Sequence, residues 1–471
     1  MKRLITYVLP CSLLLGILVT SCRTGKIYRR PTVLLPAAFG EENNAADTAS
    51  IADLRWRTFF TDAILLQLID SGLVKNYDLQ YAIRNINIAQ AQVKQAGFLW
   101  YPQLNTGLGT QFNSYSANGL SGVPGTAIRN TSQDFSLSLN LSWEIDIWGK
   151  ISLQKEAVLA NYLLSNEATR AVQTRLVADI ASAYFNLLML DQQLVETKKS
   201  LLLSVDFVKL TRLLYDAGEV TYLAIQQAES QRQSNAILIP AFEQNIQLQE
   251  NALQLLTGSL PGTVQRLVTL TDIHFTDTLS AGLPISLLQR RPDVRAKELA
   301  VVVANAKVGI SHANLYPGLN LSAGGGFESI KTSNWFNIPA SLFGLAGATI
   351  VQPILQGRQL KTQFEIAQQQ KEQAVIQFKQ TVLTAATEVT SALVSIRKLA
   401  EQEMIAKERA DTLAAAVTNA NLLFKNDLAN YLEVITAEQN ALNAALNLAS
   451  IRREELDAKV ELYRALGGGW K

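Results

Sequence analysis

From Phe135 onward the chain alternates strictly: Phe135, Leu137, Leu139, Leu141, Trp143 and Ile145 interleave with Ser136, Ser138, Asn140, Ser142 and Glu144. A period of two puts the apolar and polar sets on opposite faces of one strand. Leu104 to Phe112, with Asn105, Gly107, Gly109 and Gln111 at the polar positions, supplies a partner across the Gly-, Ser- and Asn-rich connector Asn113 to Thr131. The same texture returns where Leu319, Leu321, Ala323, Gly325 and Phe327 alternate with Asn320, Ser322, Gly324, Gly326 and Glu328; the partner there, Phe343 to Gln352, alternates poorly. Elsewhere the period is helical. Asp78 caps an expected helix to about Gly97, and Tyr101-Pro102 stops it. Residues 150 to 217 and 358 to 466 contain no Gly or Pro, and the first run alone would make about 100 Å of helix at roughly 1.5 Å per residue. A seam at alternating four- and three-residue steps runs through Leu176, Ile180, Ala183, Leu187, Leu190 and Leu194, and again through Ala385, Val389, Ala392, Ile396 and Leu399. That spacing is coiled-coil packing.

The chain is a duplication. Tyr101-Pro102-Gln103-Leu104-Asn105 returns as Tyr316-Pro317-Gly318-Leu319-Asn320, Trp148-Gly149-Lys150 as Gln356-Gly357-Arg358, and Tyr222-Leu223 with Ala228-Glu229 as Tyr431-Leu432 with Ala437-Glu438. Gly218 and the pair Asn426-Asp427 interrupt the long helices at matching places, so each helix doubles back into an antiparallel partner, with Pro240 expected to kink the first return. The expected organisation is a first repeat over 58–257, with strands at about 103–113 and 132–146 and long helices at 150–217 and 220–257. A connector over 258–283 follows. The second repeat covers 284–471, with strands at about 318–329 and 342–352 and helices at 358–425 and 428–466. Each copy leaves an apolar face and open strand edges, which self-assembly into a tube would cover.

The start of the chain changes the compartment. Lys2 and Arg3, the apolar stretch Leu4 to Val19, and Val19-Thr20-Ser21-Cys22 read as a secretory signal over 1–21 with a lipoprotein cleavage box, making Cys22 the acylated first residue of an extended arm over 22–57. Cys11 leaves with the signal, so no disulfide is expected. Beyond residue 20 no run of about 18 apolar residues occurs, so a bilayer would have to be crossed by strands. A soluble sandwich also alternates, but two hairpins framed by long helices are too few for a sandwich core.

Composition excludes more than it assigns. Of 471 residues, 48% are hydrophobic and 17% charged, and a formal charge of +2 gives no nucleic-acid footprint. His274 and His312 are the only histidines, leaving little for a His-based triad and nothing for a multi-His metal site. Trp148-Gly149-Lys150-Ile151 lacks the remainder of a phosphate loop, and Gly324-Gly325-Gly326 lies in a strand pattern where close packing is its natural role. No catalytic constellation, metal site or cofactor motif emerges, and no enzymatic activity is expected.

Two segments carry a family resemblance. Leu141-Ser142-Trp143-Glu144-Ile145-Asp146-Ile147-Trp148-Gly149-Lys150 resembles the strand-to-helix signature of the outer-membrane factors, TolC-like outer-membrane efflux lipoproteins. Leu283-Pro284 through Arg290-Arg291-Pro292-Asp293-Val294-Arg295-Ala296 resembles their inter-repeat signature. The resemblance implies a mainly α chain with a small transmembrane β part. It would be a homotrimer in which four β-strands per protomer contribute to a shared twelve-stranded barrel, above a long coiled-coil α-helical barrel. It also implies docking onto a periplasmic adaptor protein and an inner-membrane RND-type transporter, with passive conduction across periplasm and outer membrane. Physical reasoning reaches the same stoichiometry: four strands cannot close a barrel, eight would be filled by side chains, and twelve leave a channel. Exit ducts of type I protein secretion and a lipid-anchored coiled-coil scaffold without a channel are the competing functions. By position, Asp216, Gly218 and Glu219 at one turn and Asn426, Asp427, Asn430 and Tyr431 at the other would line or shape the periplasmic entrance, where a carboxylate ring favours cations. The sequence departs from the family here: Ala429 stands where Asp often precedes Asn-Tyr-Leu, and Asp427 replaces the turn glycine. Asp427 either supplies the acidic ring or only shapes the turn. Trp143, Glu144, Asp146 and Gly149, with Arg290, Arg291, Pro292 and Asp293, are expected to be structural, Asp293 opening a helix in its favourable first turn.

Overall fold

The structure is a computed structural model that describes residues 24–33, 50–114, 131–275 and 284–470. The expected signal and Cys22 lie outside these residues, as do parts of the arm, of the Asn113 to Thr131 connector and of the inter-repeat connector. In chain order the main elements are α1 (Ala63–Lys75), α2 (Tyr77–Gly97), β1 (Gln103–Ser114), β2 (Thr131–Ile145), α3 (Lys150–Asp216), α4 (Tyr222–Leu256), α5 (Pro292–Ala313), β3 (Gly318–Ser329), β4 (Leu342–Val351), α6 (Gln359–Lys425) and α7 (Tyr431–Ala465). The fold is mainly α with one small sheet. Helices α3 and α6 have 67 residues each, α4 and α7 have 35 each, and the boundaries at 150, 216, 222 and 256 recur at 359, 425, 431 and 465, always 209 positions later.

Two local readings change. Asn76, not Asp78, caps α2: its Oδ1 accepts from the Leu79 amide at 2.9 Å while Asp78 sits inside the first turn. The glycine equivalent to Gly149 (φ 72°) is displaced by one, because the second copy places both Gly357 (φ 54°) and Arg358 (φ 65°) in the left-handed region just before α6. The structural counterpart of Gly149 is therefore Arg358. Helix α1 is an element that the periodicity analysis did not separate, although Asp62 caps it through the Leu65 amide at 2.6 Å.

The chain forms two compact units. One comprises the described parts of Met1–Pro31, Asn87–Leu163 and Glu298–Ile376. Its four strands form an antiparallel sheet in the order β1-β2-β3-β4. The register aligns the alternation across all of them: Leu104 faces Leu141, then Ala323, then Ala346, and Leu108 faces Leu137, then Phe327, then Leu342. The intervening rows run Gln103, Ser142, Ser322, Gly347 and Asn105, Asn140, Gly324, Leu345. One face is thus apolar and the other largely polar. Much of the apolar face is exposed among the described residues, with Leu104 65%, Leu108 73% and Phe112 69% exposed on β1, while Trp335 and Phe336 pack against Phe135 and Phe327. Gly326 explains part of the glycine run: a Cβ there would lie 1.9 Å from the Leu137 carbonyl oxygen, whereas at Gly107 it would meet only the Ser138 hydroxyl at 3.4 Å.

The other unit comprises the described parts of Thr32–Ile86, Leu164–Lys297 and Gln377–Lys471. Phe59 stacks on Tyr463 with centroids 4.2 Å apart, Phe275 packs against Phe59 and edge-on to Phe185, and the Tyr463 hydroxyl donates to the Leu54 carbonyl at 2.8 Å. Arg266 ties the connector down by pairing with Asp191 at 2.7 Å and with Glu250. The coiled-coil seam is buried at Leu176, Ile180, Leu187, Ala385 and Val389, and widened by Val177, Tyr184 and Phe185.

Gly326→Ala should lower the yield of folded protein by an amount matching about 1–3 kcal/mol of overpacking, and Gly107→Ala should leave it near wild type; infrared strand content measures both.

Candidate functional site

The two helical turns share one geometry. The chain passes through the left-handed region at Gly218 (φ 82°) and at Asp427 (φ 57°). The Glu219 amide donates to the Leu214 carbonyl and the Leu428 amide to the Leu423 carbonyl, both at 2.9 Å. This is the C-terminal helix stop that glycine favours; aspartate tolerates it better than most residues because its short polar side chain suits that conformation. Asp216, Gly218, Glu219, Asn426, Asp427 and Asn430 are exposed, and Tyr431 is half-buried. Asn426 Nδ2 donates to the Leu422 carbonyl at 2.7 Å. Asn430 caps α7 reciprocally: its Oδ1 accepts from the Leu432 and Glu433 amides at 2.9 and 3.2 Å, and Glu433 Oε2 accepts from its amide at 2.9 Å.

Below the turns an apolar cluster joins the two hairpins. Phe207, Val208 and Ala228 from the first meet Phe424 and Val434 from the second, with Phe207 and Phe424 centroids 5.3 Å apart. Ala429 and Tyr431 pack against this cluster. Ala429 is therefore seated where a carboxylate would face apolar neighbours, while Asp427 stands clear of them.

Beneath the cluster lies a buried polar seam that the sequence analysis did not single out. Asn235 on α4 donates to Ser204 Oγ on α3 at 2.7 Å, and Ser204 contacts Glu438 on α7 at 3.3 Å. Further along α3, Gln193 Nε2 donates to the Leu446 carbonyl at 3.2 Å and to Ser450 Oγ at 3.1 Å on α7. Serine, asparagine and glutamate inside a helical pattern suggest a solvated face, and no sequence signal marked these positions as buried.

Both signature segments are tied down by hydrogen bonds and ion pairs. Trp143 Nε1 donates to the Trp100 carbonyl at 3.0 Å, Lys150 pairs with Glu144 at 2.8 Å, and Asp146 accepts from the Ile151 and Ser152 amides, each at 3.0 Å, which caps α3. Gly149 supplies the left-handed step between strand and helix. Arg290 pairs with Asp53 at 2.7 Å. Arg291, only 3% exposed, holds Asp293 at 2.6 Å, Glu388 at 2.7 Å and the Ala465 carbonyl at 2.9 Å. Burial opposes its charge, but those partners outweigh burial and raise its pKa. Pro292 begins α5, at the one helical position where its missing N–H costs nothing.

The outer membrane efflux protein family model matches this chain twice, over residues 68–259 and 283–468. The chain belongs to the outer membrane efflux protein family. The cation efflux system protein CusC of Escherichia coli (strain K12) is 32% identical over 470 residues, covering 98% of this chain and 100% of that protein. The probable outer membrane lipoprotein SilC of Salmonella typhimurium is 29% identical, covering 94% of each. A solved structure of CusC superposes with a TM-score of 0.84 at 29% identity, covering 95% of this chain and 100% of that one. As a member of this family the chain is an outer-membrane efflux component that extends into the periplasm. Among the described residues no helix is long and apolar enough to cross a membrane.

Asn430→Ala should remove the side-chain half of the cap, the acceptor of the Leu432 and Glu433 amides, and destabilise the start of α7 by about 1 kcal/mol; faster amide exchange over 431–438, with exchange in α5 unchanged, is the expected reading.

Proposed function

We propose that three copies of this chain form the exit duct of a tripartite efflux system, passing cargo from an inner-membrane transporter through a periplasmic adaptor to the outside. The observation that carries this is the four-stranded sheet: much of its apolar face is exposed, and β1 and β4 each have one hydrogen-bonded neighbour among the described residues. Unpaired strand edges are not tolerated in hydrocarbon. Three sheets joined edge to edge make twelve strands, wide enough to leave a lumen lined by Asn105, Ser138, Asn140, Ser142 and Ser322. Cross-linking of the detergent-solubilised protein should stop at a species of three chains.

Lipid anchoring fits the same arrangement. The Thr24 amide donates to the Trp148 carbonyl at 3.2 Å, which holds this part of the arm beside the strand-to-helix joint. SilC, named an outer membrane lipoprotein, supports this reading.

The turns form the periplasmic entrance, and Asp427, with Asp216 and Glu219, contributes a ring of carboxylates there. An acidic mouth suits cations, the cargo class in the name of the CusC relative. In planar bilayers Asp427→Ala should lower cation selectivity severalfold and weaken block by trivalent cations; unchanged selectivity and block would leave Asp427 a turn residue only.

A further inference from the structure

Glu438 on α7 is 3% exposed and belongs neither to the turns nor to the signature segments. Its Oε2 lies 3.3 Å from Ser204 Oγ, while Oε1 has no hydrogen-bond partner among the described residues. Ser204 sits within 3.0 Å of the Ser200 carbonyl on its own helix and accepts from Asn235 Nδ2 at 2.7 Å. A serine hydroxyl has one proton. If Glu438 is ionised, the Ser204 hydroxyl can serve it only by leaving the Ser200 carbonyl, which keeps the Ser204 backbone amide as its helical partner. If Glu438 is neutral, its own O–H donates to Ser204, Ser204 donates to Ser200, and the chain from α4 through α3 to α7 is complete. The neutral acid thus makes one more hydrogen bond in the seam than the ionised one.

The groups around it support this. Beside Glu438 lies a cavity of about 1090 Å³ whose walls include Leu203, Phe207 and Leu442. Helix α3 brings Glu196, Lys199, Asp206 and Lys209 to that cavity, α6 brings Asp411, Asn421 and Lys425, and α7 brings Arg452. Helix α4 faces the seam with the uncharged Asn235. None of these charges governs the ionisation of Glu438. Burial dominates and pushes its pKa up to about 7, against smaller lowering by Ser204 and Asn421.

We propose that Glu438 is a proton-operated clasp between the two helical hairpins: neutral, it stays seated against Ser204, and ionised, it leaves for the water of the adjoining cavity and the seam loosens. The sign follows from linkage. The clasp is at full strength below the ordinary glutamate value of 4.5, weakens as pH rises from there, and has lost its advantage above about 7. Across that range the closed-to-open ratio falls by up to roughly a hundredfold. The proposal goes beyond the duct reading, since the clasp is read from the seam itself whether or not the protein conducts.

Hydrogen exchange of the full chain in detergent, corrected for intrinsic rates, tests it. Protection of 198–206 and 434–442 should fall about tenfold or more between pH 5.5 and 8.5, and Glu438→Gln, which stays neutral, should hold it nearly constant. A second acid pair lies about 25 Å further along α7: the Glu403 carboxyl on α6 is pushed up, chiefly by its hydrogen bond with Glu455 on α7. Glu403→Gln should therefore leave the pH dependence of the clasp segments in place. Flat protection in the wild-type protein, pH dependence surviving in Glu438→Gln, or its loss in Glu403→Gln would each overturn the proposal, and the wild-type reading stands even if a variant misfolds.

Discussion

A backbone amide or carbonyl in hydrocarbon without a partner costs several kcal/mol, and a strand edge presents a whole row of them. Among the described residues the four-stranded sheet has two such edges, at β1 and β4, and an apolar face much of which is exposed. Both defects are remedied at once if identical sheets meet edge to edge in a membrane. The rest of the chain then has a reason: the duplicated helices give each protomer two hairpins, and the strand-to-helix joints built on Trp143, Glu144, Asp146 and Gly149 fix how the strands leave the sheet and become helix.

How far the sequence discloses this depends on whether a signal is periodic. The alternation of β1, β2 and β3 and the long stretches free of Gly and Pro are periodic, and the sheet and helices follow from them. Strand β4 reads poorly for a reason that only the register supplies: Phe343 and Leu345 lie on the largely polar face but opposite Gly326 and Gly324, where absent side chains leave room for them. The α2 cap was misplaced by two residues because Asn76 and Asp78 are equally good cap chemistry, and only the direction of the chain entering the helix separates them. The single-residue displacement at Gly357-Arg358 was invisible because arginine gives no hint of a left-handed backbone.

The candidate site shows the same limit in three dimensions. The two turns could be located from Gly218 and Asn426-Asp427, yet what holds them together, the Phe207 and Phe424 contact and the Ser204, Asn235 and Glu438 chain, joins residues far apart in sequence that individually look like ordinary helix positions. Arg291 is similar: its motif is local, but its partners Glu388 and Ala465 come from two distant helices.

The constant spacing of 209 between matching helix boundaries has a further implication. Dropping one residue from α3 alone would turn everything beyond the lesion by about 100° and shorten the rod by about 1.5 Å, so its apolar stripe would miss its neighbour while α6 kept the old phase. Tolerated changes in stalk length should therefore arrive as whole seven-residue blocks, entered in both copies together, which makes the span of this conduit a quantity that evolution can alter only in coarse, paired increments.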